Sequence, residues 1–263
     1  MVYKGYGKQD SLVLKGFAIL LIVFHNIFHH ISPSPGENEF AFLDNAVTNF
    51  FGQLATSPSE FVNLLFSFFG HYGVQIFILV SGYGLAVSMK SNEKKWLPFV
   101  FERLKKLYPL LLVGLIALYL TTALIYGRLL NSYDWSEIKY KLLFIHTLQP
   151  DSGLSVCGPW WFFGLIFQLY LLFPLLYKLI EKFDHKAFWG ICLLSYLSVF
   201  YVIYDFKSVG SSNIMMNAPG HLPEFCLGIL LANCKGMKIN VAWLFVALAV
   251  FGLGNFYKIF YPF

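Results

Sequence analysis

The sequence has few charged residues. Only 13% of its 263 residues are Asp, Glu, Lys or Arg, whereas soluble proteins carry about 25%. The hydrophobic fraction is 57% and the mean hydropathy is +0.62. An ordinary soluble domain is therefore excluded, and a protein with several membrane-spanning segments is expected. The net charge of +5 is explained by the placement of lysine and arginine beside a membrane, so it does not indicate nucleic-acid binding.

Cysteine is also scarce, and the sequence lacks a signal-peptide pattern. The four cysteines have no paired metal-ligand spacing, and three of them lie in or beside apolar segments, so no disulfide framework is expected: Cys157, Cys192, Cys226 and Cys234. The first apolar run follows a short polar start and has no small-residue cleavage site, so we expect no cleavable signal peptide.

Long apolar segments predict an all-α bundle of transmembrane helices. A helix needs about 20 mostly apolar residues to cross a bilayer. The chain contains about seven candidate spans: Leu12–Ile31, His71–Met89, Leu107–Tyr126, Trp160–Ile180, Phe188–Tyr204, His221–Asn233 and Val241–Tyr257. The apolar stretch Phe61–Phe69, interrupted by Gly70, is either an interfacial helix or an extension of the second span. Prolines are expected at or near span edges: Pro98, Pro109 and Pro174.

We interpret residues 1–263 as a single membrane-embedded domain of about seven or more spans. Its last residue, Phe263, follows apolar sequence almost directly. This ending leaves open whether a further span follows or the domain stops there.

Lysine and arginine residues predict the orientation, because they accumulate in cytoplasmic loops. A cytoplasmic N-terminus places fourteen of the nineteen basic residues on the cytoplasmic side and leaves five outside: Arg128, Lys139, Lys141, Lys207 and Lys258. The first outer loop, Ser32–Gly70, has four acidic residues and no basic residue. We therefore predict a polytopic protein of the plasma (inner) membrane.

The first span carries histidines that a membrane crossing does not require. Its sequence from Lys15 to His30 is KGFAILLIVFHNIFHH. His25 lies ten residues after Lys15, about 15 Å along a helix, and therefore in the middle to outer half of the bilayer. Because an ionisable side chain is costly in hydrocarbon, His25 is a functional candidate. The alternative is a buried histidine bonded to a neighbouring helix.

Several separated stretches together resemble the acyltransferase-3 family, which comprises integral membrane enzymes that move acyl groups onto extracytoplasmic sugars. The stretches are LKGFAILLIVFH (Leu14–His25), GVQIFILVSGYGLA (Gly73–Ala86), FERLKKLYP (Phe101–Pro109), WWFFGLIFQLYLLFPLL (Trp160–Leu176) and, more weakly, HLPEFCLGILLA (His221–Ala232). In this chain the basic residue of the first stretch stands one position closer to the histidine than in the family pattern. It is also lysine where arginine is common, and lysine lacks the bidentate fork for phosphate.

The resemblance implies that His25 is catalytic. Histidine suits proton transfer from a hydroxyl because its ordinary pKa is about 6.5, or it could itself accept the acyl group. His71 opens the second span on the same side and either orients the acceptor or is a helix-end residue facing water. His25 and His29 could form a metal pair, but no carboxylate or cysteine pair on the second helix completes one, so no metal is predicted. His29 and His30 are interpreted as interfacial residues.

The resemblance also implies acyl-CoA, with acetyl-CoA preferred, as the donor substrate rather than a permanently bound cofactor. The candidate donor-binding residues are Lys15, Arg103, Lys105, Lys106 and Tyr108. Arg103 suits a phosphate group best because of its forked guanidinium. The alternative is that the basic run only sets the topology and contacts anionic lipid.

Candidate acceptor-binding residues are Trp161, Gln168, Tyr170 and Glu224. Aromatic rings there suit a sugar but are also typical of the membrane interface, and Glu224 could simply favour a helix start. The glycines Gly70, Gly73, Gly82 and Gly84 indicate close helix packing rather than a ligand cradle.

The sequence thus predicts a membrane acyltransferase that moves an acetyl group from cytoplasmic acyl-CoA to a hydroxyl of a surface or lipid-linked polysaccharide. The expected partners are acyl-CoA, the glycan and the bilayer. A glycan or lipid transporter without acyl transfer, and a non-catalytic membrane scaffold, are the alternatives.

Overall fold

The computed structural model describes residues 7–205, 213–234 and 240–261. Regular structure in these ranges is entirely helical. The helices are α1 (Lys8–Phe28), α2 (Ala46–Thr56), α3 (Phe61–Phe69), α4 (Tyr72–Ser91), α5 (Trp96–Leu124), α6 (Ser132–Leu142), α7 (Trp161–Phe183), α8 (His185–Asp205), α9 (Ala218–Asn233) and α10 (Val241–Phe256). Four basic residues used in the orientation argument lie outside the described residues: Lys4, Lys207, Lys235 and Lys238.

The prediction of a membrane helix bundle is confirmed, but the predicted seven or more spans are not. Five helices among the described residues are long and apolar enough to cross a membrane, namely α1, α4, α5, α7 and α8. The remaining two candidates, α9 and α10, have 16 residues each. A helix of that length is about 24 Å long, which is shorter than a hydrocarbon core of about 30 Å.

The third span differs from its predicted bounds. Helix α5 begins at Trp96 rather than at Leu107, and Pro109 lies inside it. Pro174 likewise lies inside α7, so the prediction that these two prolines mark span edges was wrong. Spanning helices tolerate proline where neighbouring groups bond the freed backbone atoms.

The first loop contains two helices that pack on each other. Phe50 of α2 and Phe68 of α3 lie with ring centroids 5.1 Å apart, within a small buried cluster of their own. The Phe61–Phe69 stretch is therefore a separate helix, which ends at Gly70 immediately before α4. Its C-terminal end is thereby held beside α1.

Helix α9 lies among α4, α7 and α8. A Cβ atom on Gly82 would collide with the backbone oxygen of Phe225, and one on Gly228 would collide with that of Leu79. The backbones of α4 and α9 therefore approach directly, as small residues allow in membranes. The packing interpretation of Gly82 is confirmed, whereas Gly84 has open space around it.

Two further glycines fix the position of α1. A Cβ on Gly70 would lie 2.6 Å from the Cβ of His25, and one on Gly73 would lie 2.6 Å from the carbonyl oxygen of Ala18. Since only glycine allows this approach, these positions bring α1 against the junction of α3 and α4. The packing interpretation holds for both glycines, and it places His25 at that junction.

Candidate active site

A cavity of about 560 Å³ lies beside the C-terminal half of α1. Its walls come from α1, α4, the start of α7 and the loops that precede α2 and α7. Its ionisable lining residues are His25, His29, His30, Glu37, Glu39 and His71. Apolar and aromatic side chains complete the walls, among them Phe40, Phe77 and Trp161. The cavity therefore combines apolar walls with several groups that can move protons.

The His25 ring is held in one orientation. Its side chain is buried, and Nδ1 lies 3.1 Å from the carbonyl oxygen of Ser67 and 3.3 Å from that of Phe66. Because carbonyl oxygens only accept hydrogen bonds, Nδ1 carries the proton. These carbonyls belong to the last turn of α3, where helices leave acceptors unpaired, although the Phe66 carbonyl also accepts from the Gly70 backbone nitrogen at 3.0 Å. Nε2 consequently has a free electron pair on the other side of the ring.

Two glutamates of the first loop lie beside these histidines. Glu39 Oε2 is 3.6 Å from His25 Nε2, and Glu37 Oε1 is 3.2 Å from His29 Nδ1. Burial raises the pKa of Glu37 above its ordinary value. The sequence interpretation used both acids only as evidence for topology, so it missed their proximity to His25. The sequence signal that could have indicated this proximity was the pair of carboxylates in a loop without any basic residue.

His71 lines the same cavity and is fully enclosed. It is 1% exposed, which excludes the alternative of a helix-end residue facing water. Its ring centroid lies 5.7 Å from that of His25. Neither nitrogen makes a well-aligned hydrogen bond with a described residue, although the Phe68 carbonyl is near. Burial, reinforced by the charge of His25, lowers the pKa of His71 to about 3, so its ring is neutral at physiological pH.

Of the four predicted acceptor residues, the structure places Trp161 in the cavity wall. Its ring meets Phe40 edge to face at 5.2 Å and stacks on His221 at 5.9 Å. The other three lie elsewhere in the bundle. Tyr170 packs against Phe99, and Glu224 accepts a hydrogen bond of 2.7 Å from His221.

Gln168 joins three parts of the fold instead of lining the cavity. Its amide nitrogen donates to Thr147 Oγ1 at 3.0 Å and to Asn217 Oδ1 at 2.7 Å. Its amide oxygen accepts from the Ala218 backbone nitrogen at 3.0 Å. The side chain therefore ties α7 to the start of α9 and to the connection after α6.

The predicted donor residues lie away from the cavity lining. Arg103 is half-buried over the Phe99 ring at 5.1 Å, and its Nε atom has no hydrogen-bond partner among the described residues. Lys105 and Lys106 are exposed, and Lys15 is half-buried on α1. The Tyr108 hydroxyl donates to the Leu142 carbonyl at 3.0 Å, which gives it a role in packing.

A basic cleft lies near the start of α5 and the end of α7. Lys94, Lys95, Trp96 and Lys178 line this cleft of about 550 Å³. Lys94 is paired with Glu102 at 2.6 Å. Glu93 also lines the cleft, but its three lysines leave a net positive charge, which suits a phosphate group.

Comparison with known proteins gives a family match and a similar relative. The model of a family described as an acyltransferase domain matches residues 12–263. The chain is 32% identical over 124 residues to acyltransferase MdmB of Streptomyces mycarofaciens. That alignment covers 46% of this chain and 32% of the relative, so the chain matches about a third of the relative's length. No solved structure matches the chain.

Proposed function

The chain belongs to the acyltransferase-3 family of membrane acyltransferases, and on that premise we propose the donor, the acceptor and the role of His25. The donor is cytoplasmic acyl-CoA, with acetyl-CoA preferred. The acceptor is a hydroxyl of an extracytoplasmic or lipid-linked polysaccharide. The N-terminus lies in the cytoplasm, so the histidine end of α1 lies toward the outer face.

One observation carries this proposal. The His25 Nδ1–H donates to the Ser67 carbonyl of α3, and the electron pair of Nε2 faces the cavity beside Glu39. A general base must lie within hydrogen-bond reach of the proton that it removes. An acceptor hydroxyl bound in the cavity satisfies this requirement at Nε2.

The transfer proceeds by one of two routes. In the first, Nε2 takes the hydroxyl proton while the hydroxyl oxygen attacks the thioester carbonyl, and the carbon–sulfur bond breaks to release the CoA thiolate, which then takes up a proton. In the second, Nε2 attacks the thioester carbonyl first, and the carbon–sulfur bond breaks to release the CoA thiolate. The resulting acyl-imidazolium passes the acyl group to the hydroxyl oxygen, the hydroxyl proton goes to the thiolate, and Nε2 regains its electron pair. In both routes the carboxylates of Glu37 and Glu39 stabilise the positive charge that develops on the ring.

His71 and Trp161 position the acceptor in this proposal. The neutral His71 ring has nitrogen atoms available for a hydrogen bond to a sugar hydroxyl. Trp161 offers an aromatic wall in the same lining. Arg103, whose Nε lacks a partner, and the lysines of the basic cleft bind the donor phosphates.

The test compares His25→Ala with His185→Ala, a matched control whose imidazole is exposed at the start of α8. Cells making each variant at equal protein level are assayed by mass spectrometry for hydroxyl-acylation of surface and lipid-linked glycan. We expect His25→Ala to lower acylation about 100-fold or more, the usual contribution of a positioned base, and His185→Ala to leave it unchanged. Equal acylation in the His25→Ala cells overturns the proposal.

A transporter that carries out no acyl transfer needs no coenzyme. Acetyl-CoA binding to the purified chain, weakened by Arg103→Ala but not by Arg128→Ala, supports the enzyme. Arg128 is the control because it pairs with Asp134 at 2.9 Å and lies on the opposite side of the membrane in the predicted topology. A scaffold predicts that neither His25→Ala nor Arg103→Ala changes glycan acylation.

A further inference from the structure

Three side chains at the cavity lie close enough together to hold a metal ion. His25 and His29 are four residues apart on α1, with ring centroids 5.3 Å apart. Glu37 reaches the same point from the following loop. One ligand atom from each of the three lies within 4.8 Å of the other two. Paired histidines at this spacing on one helix face are a known way to bind zinc.

In two of these groups a buried polar atom makes no well-aligned hydrogen bond with a described residue, although His29 Nδ1 lies 3.2 Å from Glu37 Oε1. His29 Nδ1 and Glu37 Oε2 are both shielded from solvent, and neither makes a well-aligned hydrogen bond within the described ranges. Leaving such atoms unsatisfied is costly. A cation between them would satisfy the nitrogen electron pair and the carboxylate together.

The surroundings of His25 also match those of a metal ligand. Metal-binding histidines usually donate their second ring N–H to a backbone carbonyl, which orients the coordinating nitrogen. The contact between His25 Nδ1 and the Ser67 carbonyl has this arrangement. Ligand atoms in a tetrahedral zinc site lie about 3.3 Å apart, given zinc–nitrogen bonds of about 2.0 Å. The three atoms lie within 4.8 Å of one another, and the half-exposed His29 side chain is the one that would turn to reach the shorter spacing.

We propose that a divalent transition-metal ion of the zinc class binds His25 Nε2, His29 Nδ1 and the Glu37 carboxylate, with its fourth position open to the cavity. Imidazole ligands favour zinc, copper or nickel over magnesium and calcium. The functional consequence rests on the proposed function: a coordinated Nε2 has no electron pair for the transfer, so the metal inhibits the enzyme.

Binding is tested with Zn²⁺ alone on the purified, metal-free full chain in detergent, by competition with a fluorescent chelator. We expect one high-affinity equivalent that excess Mg²⁺ does not displace. His29→Ala and Glu37→Gln should bind about 100-fold more weakly, because each removes one ligand of three. His30→Ala is the matched control, because His30 lines the cavity but is not in the ligand set, and its affinity should equal that of the wild type.

Thermal unfolding of each variant in the same detergent identifies a protein that has failed to fold. Zn²⁺ should raise the unfolding temperature of the wild type and of His30→Ala, but not that of His29→Ala. Absence of zinc binding to the wild type overturns the proposal. Equal loss of affinity in His30→Ala and folded His29→Ala overturns it as well.

Inhibition is measured as the acyl-transfer rate with Zn²⁺ divided by the metal-free rate of the same variant. This ratio should be about 0.1 or lower in the wild type and close to one in His29→Ala. A ratio that remains near one in zinc-loaded wild type contradicts the inhibitory consequence. If the metal-free wild type transfers no acyl group, the proposed function fails, whereas the zinc site is still judged by the binding measurements.

Discussion

Glu39 Oε2 lies 3.6 Å from His25 Nε2, on the side of the ring opposite to the Ser67 carbonyl. The imidazole is thus bonded to a backbone oxygen on one side and faces a carboxylate on the other. Such a carboxylate stabilises the charged ring that forms when Nε2 takes up a proton or an acyl group.

Replacing that carboxylate should slow acyl transfer. We expect Glu39→Gln to lower kcat about 10- to 100-fold with little change in the KM for acyl-CoA, because the amide cannot neutralise the charged ring. Asp44→Asn is the control, since Asp44 is an exposed acid of the same loop. Steady-state kinetics on purified protein measure both values. A change confined to KM would contradict the assigned role of Glu39.

The close approach of α1 to the α3–α4 junction should make Gly70 intolerant of a methyl group. Gly70→Ala places a Cβ 2.6 Å from the Cβ of His25, and overpacking of this kind costs about 1–3 kcal/mol. Gly84→Ala is the control because the space around Gly84 is open. Thermal unfolding in detergent should show a lower midpoint for Gly70→Ala only. Equal midpoints for the two variants would rule out the tight packing of α1.

Burial of His71 predicts an acid-sensitive fold. Its pKa is about 3 in the folded protein and about 6.5 when unfolded, so the unfolded chain binds a proton that the folded chain excludes. Stability contributed by the neutral ring is therefore complete above pH 6.5 and is lost as the pH falls toward 3. Between pH 7 and pH 5 we expect the unfolding temperature of His71→Phe to fall less than that of the wild type. His185→Ala, which removes an exposed imidazole, should behave like the wild type.

Gln168 should matter for stability rather than for acceptor binding. Gln168→Leu leaves the polar atoms of Thr147 and Asn217 without their partner, and each unsatisfied buried group costs about 1–3 kcal/mol. The unfolding midpoint should therefore fall while the KM for the acceptor stays unchanged. Leu175→Ala, at an exposed position of the same helix, should alter the midpoint little. A raised acceptor KM with an unchanged midpoint would restore the substrate-binding interpretation.

Hydropathy and intramembrane polarity were sufficient to identify the membrane bundle and to select His25. Both signals are local, since an apolar run and a histidine within it are visible without knowing what packs nearby. The start of α5 was not visible, because its first turns contain charged residues that a hydropathy criterion removes from a span. Proline is unfavourable inside an isolated helix, and this rule predicted helix edges at Pro109 and Pro174. Both lie inside helices, because tolerance of proline there depends on neighbouring groups that the sequence does not reveal.

The partners of His25 could not be read from the sequence for a different reason. Glu37 and Glu39 reach α1 only because the loop folds back over it, and Ser67 contributes a backbone atom that any residue type would supply. The position of Gln168 away from the cavity could not be predicted for the same reason. Its hydrogen bonds to Asn217 and Ala218 join segments about fifty residues apart.

The proton on His25 is held by a carbonyl of α3, a short helix outside the spanning segments. A molecule that pulls α2 and α3 away from α1 would release Nδ1 and let the imidazole adopt its other tautomer, in which Nε2 bears the hydrogen and is no longer basic. An antibody or a small peptide that binds α2 and α3 and displaces them would therefore inhibit the reaction without entering the cavity.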